Sequence, residues 1–286
     1  MSFRTIVVKE RCKLDLKFNH LVCRGEKEIK VFIPEISVLI LESTTISITT
    51  ALISELTKNN VKIIFSDEKH NPESELLPIY GAHNSSKQIA KQIGWAELDK
   101  QRVWTEIIRF KITKQMNFLK ELCFYKEAIM LEKYLSELEF YDKTNREGHS
   151  AKVYFNALWG MDFSRKKFIY TNLALNYGYA VLLSCFNREI VSKGYLTQLG
   201  IWHKNEFNQF NLASDLMEPF RIIIDKIVYD LQDNDEDYKC KILNMFNLKF
   251  KINGIEYFLE NVINIYLQSI FDSIETGDIS LIRIYE

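Results

Sequence analysis

From residue 3 to about residue 80 the chain alternates apolar and polar positions or runs in short β-branched blocks, a pattern that predicts a small sheet. RTIVVKE, KLDLKF, HLVCRG, IKVFIP and SVLIL are strand-length segments broken by charge, Gly25 and Pro34. Residues 45–60 change to a helical period, with Ile48, Leu52, Ile53 and Leu56 on one side, and VKIIFSD returns to a buried strand. His70 lies in EKHNPESE, where Asn71-Pro72 marks a turn, so it reads as a loop histidine without chemistry. Residues 81–86 (GAHNSS) have the composition of a linker. Beyond them the spacing predicts helices over 86–99, 101–126 and 127–141, then a central helix over 171–193 that is apolar nearly all round and is capped by Gly194. A last helix is expected over 255–275. The tail from Gly277 alternates, as an extended strand does, and would lie on a partner or on its own body. The fold class is therefore α+β: an N-terminal β-rich domain over 1–80, a linker over 81–86 and a larger all-α domain over 87–286.

Composition narrows the function. A chain of 286 residues with 47% hydrophobic and 26% charged residues is long enough for two globular cores. The formal net charge of −1 does not advertise nucleic-acid binding, so any such site must come from uneven charge. Residues 143–204 are basic, with Arg146, Arg165, Lys166 and Lys167 among them. Residues 206–237 are acidic, with Asp215, Glu218, Asp225, Asp230 and Asp233. A basic segment beside carboxylates suits metal-assisted phosphate chemistry, although solvated helix faces also produce charge runs. The five cysteines are scattered, with no C-x-x-C pair, which argues against a zinc knuckle or a disulfide framework. No apolar run approaches the roughly 18 residues of a membrane helix, and the first residues turn charged too soon for a signal peptide, so a cytoplasmic protein is expected.

Candidate ligands concentrate in residues 194–225, where His203, Asp215 and Glu218 fall close together. Asp215 and Glu218 are three residues apart at the start of an apolar-periodic run, so on a helix their carboxylates lie on one face, about 5–6 Å apart at Cβ. A cation fits there. The same pair reads equally as an altered capping box ahead of Pro219, with both carboxylates serving backbone N–H groups. A lone histidine beside a tryptophan is ordinarily a packed or surface residue, and spacing alone does not make His203 a ligand. A further ligand comes from EGHSAKVYFNALWG, whose Glu147, Ala151, Tyr154 and Leu158 share a face if helical. The helix dipole alone also favours a carboxylate at that position. His149, about 200° from Glu147 around a helix, cannot join the same site.

Three motifs follow the small β domain and short linker: R-E-G-x-x-A-x-x-Y-F at 146–155, G-x-x-x-x-x-G-x-x-H at 194–203 and D-L-M-E-P-F-R at 215–221. In this order the chain resembles the CRISPR-associated spacer-acquisition integrase family, most of all the members that accompany the single-protein, RNA-guided nuclease of type II systems. The resemblance spans essentially the whole chain. One departure is Thr197, where many members carry proline. The resemblance implies a metal-dependent DNA endonuclease and integrase in which Glu147, His203 and Glu218 are catalytic and hold Mg²⁺ or Mn²⁺, with Asp215 at a second acidic position nearby. It also implies double-stranded DNA as substrate, and a homodimer formed through the β domain. A small CRISPR-associated partner protein would complete a larger adaptation complex. Arg146, Arg165, Lys166 and Lys167 are the candidates for DNA-phosphate contacts.

The chemistry of that assignment is coherent. Insertion of a foreign fragment (a spacer) into a CRISPR array is an in-line attack of a 3′-hydroxyl on a phosphodiester, and with water as nucleophile the same site is an endonuclease. Oxygen ligands suit Mg²⁺ or Mn²⁺, and one imidazole tilts the preference toward Mn²⁺. The chain has no G-x-x-x-x-G-K-[ST] loop, consistent with an exchange of phosphodiesters that needs no ATP. Two other classes compete. A non-catalytic DNA-binding scaffold subunit of the adaptation complex would not need the full set of ligand types, and a helical phosphohydrolase of small nucleotides would ordinarily show a His-Asp pair, which is absent.

Overall fold

The computed structural model describes residues 4–76, 82–167, 169–231 and 235–286, and the chain separates into two units, Met1–Gly81 and Ala82–Glu286. The first unit holds β1 (Arg4–Val8), β2 (Lys13–Lys17), β3 (His20–Arg24), β4 (Glu28–Phe32), β5 (Ile36–Leu41), β6 (Ser47–Ile48), α1 (Thr50–Lys58), β7 (Lys62–Ser66) and β8 (Pro72–Leu76). They form two four-stranded sheets, ordered β1-β5-β7-β8 and β4-β3-β2-β6. In the first, β5 lies between parallel β1 and β7 and is buried at every position. That is why ISVLIL is a continuous apolar run rather than an alternating one. In the second, β2, β3 and β4 make an antiparallel meander, and KLDLK of β2 alternates apolar and polar positions. Leu14, Leu21, Ile36, Leu39, Leu52 and Ile63 bring both sheets and α1 into one apolar cluster. Thr49 caps α1 by accepting the Leu52 N–H at 3.4 Å. His70 sits in a turn at φ +62°, and Pro72 opens an edge strand that the sequence pattern did not reveal.

The second unit begins with α2 (Ser85–Ile93) and α3 (Glu97–Glu121). Ser85 and Ser86, part of the expected linker, already belong to α2, while Gly81 lies outside the described residues. The single helix expected over 86–99 is broken at residues 94–96, where Trp95 turns inward against Tyr195 and Phe271, with ring centroids 5.5 and 5.9 Å away. Burying that indole outweighs helix continuity. Cys123, in the left-handed region at φ +63°, separates α3 from α4 (Tyr125–Ser136), which stops short of the expected end at residue 141. Then come α5 (Arg146–Trp159), α6 (Tyr170–Ser192), α7 (Asn211–Leu216), α8 (Arg221–Tyr229) and α9 (Tyr238–Leu243). The unit closes with the hairpin β9 (Lys249–Ile252) and β10 (Ile255–Phe258), then α10 (Leu259–Thr276).

The expected helix over 255–275 therefore starts four residues late, and among the described residues of the unit this hairpin is the only β-structure. Asn253 and Gly254, at φ +51° and +76°, form the Asn-Gly turn that reverses the chain. As expected, α6 is the buried centre, and it ends in a left-handed Gly194 (φ +85°) with Gly194 N–H bonded to Val191 O and Tyr195 N–H to Ile190 O. The tail lies on its own body without forming a strand. Tyr285 is buried and its hydroxyl donates to Pro219 O at 3.0 Å, while Glu286 N–H bonds Lys251 O at 2.9 Å. Among the described residues no helix is long and apolar enough to cross a membrane.

Candidate functional site

Glu147 stands in the first turn of α5, where backbone N–H groups need acceptors. Other residues meet that need. Asp142 accepts from Arg146 N–H at 2.6 Å and Glu147 N–H at 3.1 Å, and Asn145 accepts from Gly148 N–H at 3.3 Å. The Glu147 carboxylate is thereby left for tertiary contact, and Lys111 on α3 donates to its Oε1 at 2.6 Å. The same ammonium donates to Glu218 Oε2 at 2.6 Å, in the short 3-10 turn between α7 and α8. Arg221 Nε holds the other Glu218 oxygen at 2.9 Å. His149, the residue excluded by helix angle, is exposed and packs its ring beside Tyr134.

His203 and Asp215 form the adjoining part. Asp215 is fully buried and accepts from the backbone N–H groups of Ile201 (2.6 Å), Trp202 (2.8 Å) and His203 (3.2 Å), and it contacts His203 Nδ1. It is thus the anchor of the histidine loop rather than a cap of its own helix, and this work engages both of its oxygens. A side chain at Gly200 would place Cβ 2.4 Å from His203 O and 2.8 Å from Asp215 Oδ2, so the close approach requires glycine. Trp202 stacks parallel to Trp104 at 5.3 Å and meets Tyr141 edge-on at 4.5 Å. With Nδ1 occupied by Asp215, His203 keeps Nε2 as its free ring nitrogen among the described residues.

Charge explains how a buried cluster of this kind persists. Burial pulls the Lys111 ammonium toward neutrality, but the charges of Glu218 and Glu147 more than reverse this and raise its pKa. Burial would raise Glu218, yet Arg221 and Lys111 hold it down at about 2. The hydrogen bond to Asp215 raises His203 above its ordinary value against burial, with further help from the charges of Asp215, Glu218 and Glu147. Among the described residues, no three His, Cys, Asp or Glu side chains gather as a metal-ligand set. Glu147 and Glu218 meet on one cation, Lys111, and His203 is held separately by Asp215. Carboxylate oxygens and an imidazole with a free ring nitrogen are nonetheless the donor types that suit a hard divalent ion.

The protein-family model described as CRISPR associated protein Cas1 matches residues 5–239. The chain belongs to the Cas1 family. A CRISPR-associated endonuclease Cas1 from Neisseria meningitidis serogroup C (strain 8013) is 33% identical over 234 residues, 82% of this chain and 77% of the relative. One from Francisella tularensis subsp. novicida (strain U112) is 25% identical over 252 residues, 80% of this chain and 77% of its own. Among solved structures, a casposase bound to integration product matches with TM-score 0.76 at 19% identity, covering 97% of this chain and 91% of that one. A Cas1 protein from Thermotoga maritima gives 0.73 at 13%, covering 99% of both. A chain of a partial Cas6-RT-Cas1–Cas2 complex gives 0.65 at 15%, covering 98% of both. These likenesses establish the α+β Cas1 fold.

Within this Cas1 fold the four basic candidates differ. Arg146 pairs with Glu137 at 3.0 Å and lies over the Tyr134 ring, so its charge is already engaged. Lys166 is exposed, and Lys167 donates to Asp162 O at 2.6 Å. Arg165 enters a cavity of about 200 Å³ lined also by Lys111, Glu218, Arg221 and Asp225. Lys111 is the functional residue that sequence reading missed. Trp104, Ile107, Ile108, Lys111, Ile112 and Gln115 all fall on the buried stripe of α3. A lysine in an apolar stripe must find carboxylates, and that was the available signal.

Proposed function

We propose that this Cas1 chain is a metal-dependent DNA endonuclease and integrase of the type II kind that inserts foreign fragments into a CRISPR array. It would act on double-stranded DNA in the cytoplasm as a homodimer formed through its N-terminal β-rich domain, with a small CRISPR-associated partner. The observation that carries this reading is the meeting of Glu147 and Glu218, from two different elements, on one buried cation, Lys111. Three comparisons support it: the Neisseria relative is named an endonuclease, one structural neighbour is a casposase with its integration product, and another is a complex with Cas2.

Glu147, Glu218 and His203 Nε2 would hold Mg²⁺ or Mn²⁺, with Lys111 yielding the carboxylate oxygens it shares. When bound, the ion supplies positive charge against the phosphate oxygens of the target. Asp215 fixes the imidazole and its tautomer, and Arg221 fixes Glu218. In the reaction, the 3′-oxygen of the incoming strand forms a P–O bond as the target strand's P–O bond breaks. The proton of the attacking hydroxyl ends on the departing oxygen, and one phosphodiester replaces another.

The test is strand transfer of a short duplex with free 3′-hydroxyls into a plasmid carrying a repeat array, with the partner protein, in Mn²⁺, Mg²⁺ or EDTA. Joining should require metal and fall by about 100-fold or more in Glu147→Ala, His203→Ala and Glu218→Ala. Undiminished joining in all three would overturn the site. The grip of Lys111 on both carboxylates favours one alternative, a non-catalytic DNA-binding scaffold, which intact DNA binding with no joining in any metal would select.

A further inference from the structure

Arg165 has surroundings that its place in the fold does not require. Its Nη1 donates to Asn172 Oδ1 at 2.8 Å and its Nη2 to Asn176 Oδ1 at 2.6 Å, so two of its five N–H donors are held by neutral amides. Asn172 is buried, and its own amide donates to Ser164 O and Lys167 O, both at 2.8 Å, stapling the loop that carries Arg165 to the first turn of α6. The guanidinium lies over the Tyr179 ring at 5.2 Å, and that of Arg221 lies over the same ring at 4.7 Å. Asn172, Asn176 and Tyr179 recur at four- and three-residue spacing, so one face of α6 builds the whole cradle.

No carboxylate bonds to Arg165 among the described residues. The two acids of the cavity are otherwise engaged: Glu218 by Lys111 and Arg221, Asp225 by the hydroxyls of Tyr154 and Tyr179. Asp225 lines the same cavity and its charge favours the Arg165 guanidinium, but no carboxylate bonds to it, so the remaining N–H donors of this half-buried, framed group, with a second guanidinium nearby, are oriented for an anion. A cavity of about 200 Å³ falls below the ~300–1,000 Å³ of pockets for drug-sized ligands, which suits a phosphate group better than a nucleoside.

We propose that Arg165, framed by Asn172 and Asn176 and neighboured by Arg221, binds a DNA phosphate adjoining the one that reacts at Glu147 and Glu218. This rests on the DNA-joining reading above and extends it to a specific strand contact. The planar fork of arginine matches two phosphate oxygens, so lysine should replace it poorly.

The experiment is equilibrium binding, by fluorescence anisotropy in EDTA, of a short duplex with single-stranded 3′ ends in which each phosphate is replaced in turn by a neutral methylphosphonate. In the wild-type chain one position should weaken binding about tenfold. In Arg165→Met the unmodified DNA should bind about tenfold more weakly, that position should become silent, and the slope of log affinity against log salt should fall by about one. Arg165→Lys, which keeps a charge in the cavity, should retain the fold and recover only part of the affinity. An unchanged methylphosphonate pattern in both variants overturns the proposal while leaving the integrase reading intact. If the wild-type chain binds no DNA, that reading fails, and inorganic pyrophosphate decides the pocket by itself: a thermal shift in wild type that Arg165→Met loses supports it, and no shift in wild type overturns it.

Discussion

Asp225 shows how one buried carboxyl next to the candidate site shapes the response to pH. Burial pushes it up to about 6 from an ordinary 3.8, against hydrogen bonds from Tyr179 and Tyr154. Between about pH 4 and 6 the folded state therefore keeps a proton that the unfolded chain has released, and stability falls as pH rises through that window. The loss is on the order of 3 kcal/mol and is complete above about pH 6. Asp225→Asn removes this slope, so its stability relative to wild type should rise from pH 4 to 7 in urea unfolding. Parallel curves would show that Asp225 is charged throughout. At this scale the sequence named Glu147, His203, Asp215 and Glu218 but left Asp215 open between ligand and cap. Its oxygens serve three N–H groups and an imidazole across a loop, the work of an anchor for the His203 segment rather than of a cap on its own helix. Such a role depends on tertiary approach, which spacing along one helix does not encode.

The helices were legible where apolar residues run long without breakers, and α6, apolar nearly all round, lies within a residue of its expected bounds. Periodicity failed where a tertiary contact overrode it, as when Trp95 turned inward and split α2 from α3, or where turn chemistry was passed over, as at Asn253-Gly254. Gly178 carries a requirement between elements. A Cβ there would lie 2.4 Å from Cγ2 of Ile224 on α8, closer than real contacts allow. Gly178→Ala should therefore destabilise the chain by about 1–3 kcal/mol through overpacking, despite alanine's better helix propensity. Pairing it with Ile224→Val should recover part of the loss. Thermal melts of the two single variants and the double variant measure the coupling, and additive losses would mean that α6 and α8 adjust separately.

Two units with separate cores give the molecule two handles on stability. Leu39, fully buried in β5, belongs to the sheet cluster, whereas all four tryptophans, Trp95, Trp104, Trp159 and Trp202, belong to the helical unit. Leu39→Ala should cost about 2–5 kcal/mol. It should lower the calorimetric transition of the sheet unit while leaving the tryptophan-detected melt in place. Equal shifts by both probes would mean that the units unfold as one. The two-part α+β plan was visible in the sequence because the apolar period changes from two to nearly four across residues 81–86. The two-sheet order was not, because pairing partners are set by long-range contacts that no local period records.

The parallel stack of Trp104 on Trp202 gives the His203 loop an optical signature of its own. Two indoles 5.3 Å apart and within 3° of parallel couple their electronic transitions, and one of them adjoins the histidine in the chain. Any event that moves the loop, whether an ion arriving or a strand docking, must change that coupling. Near-ultraviolet circular dichroism could therefore follow loading of the site in the unlabelled protein.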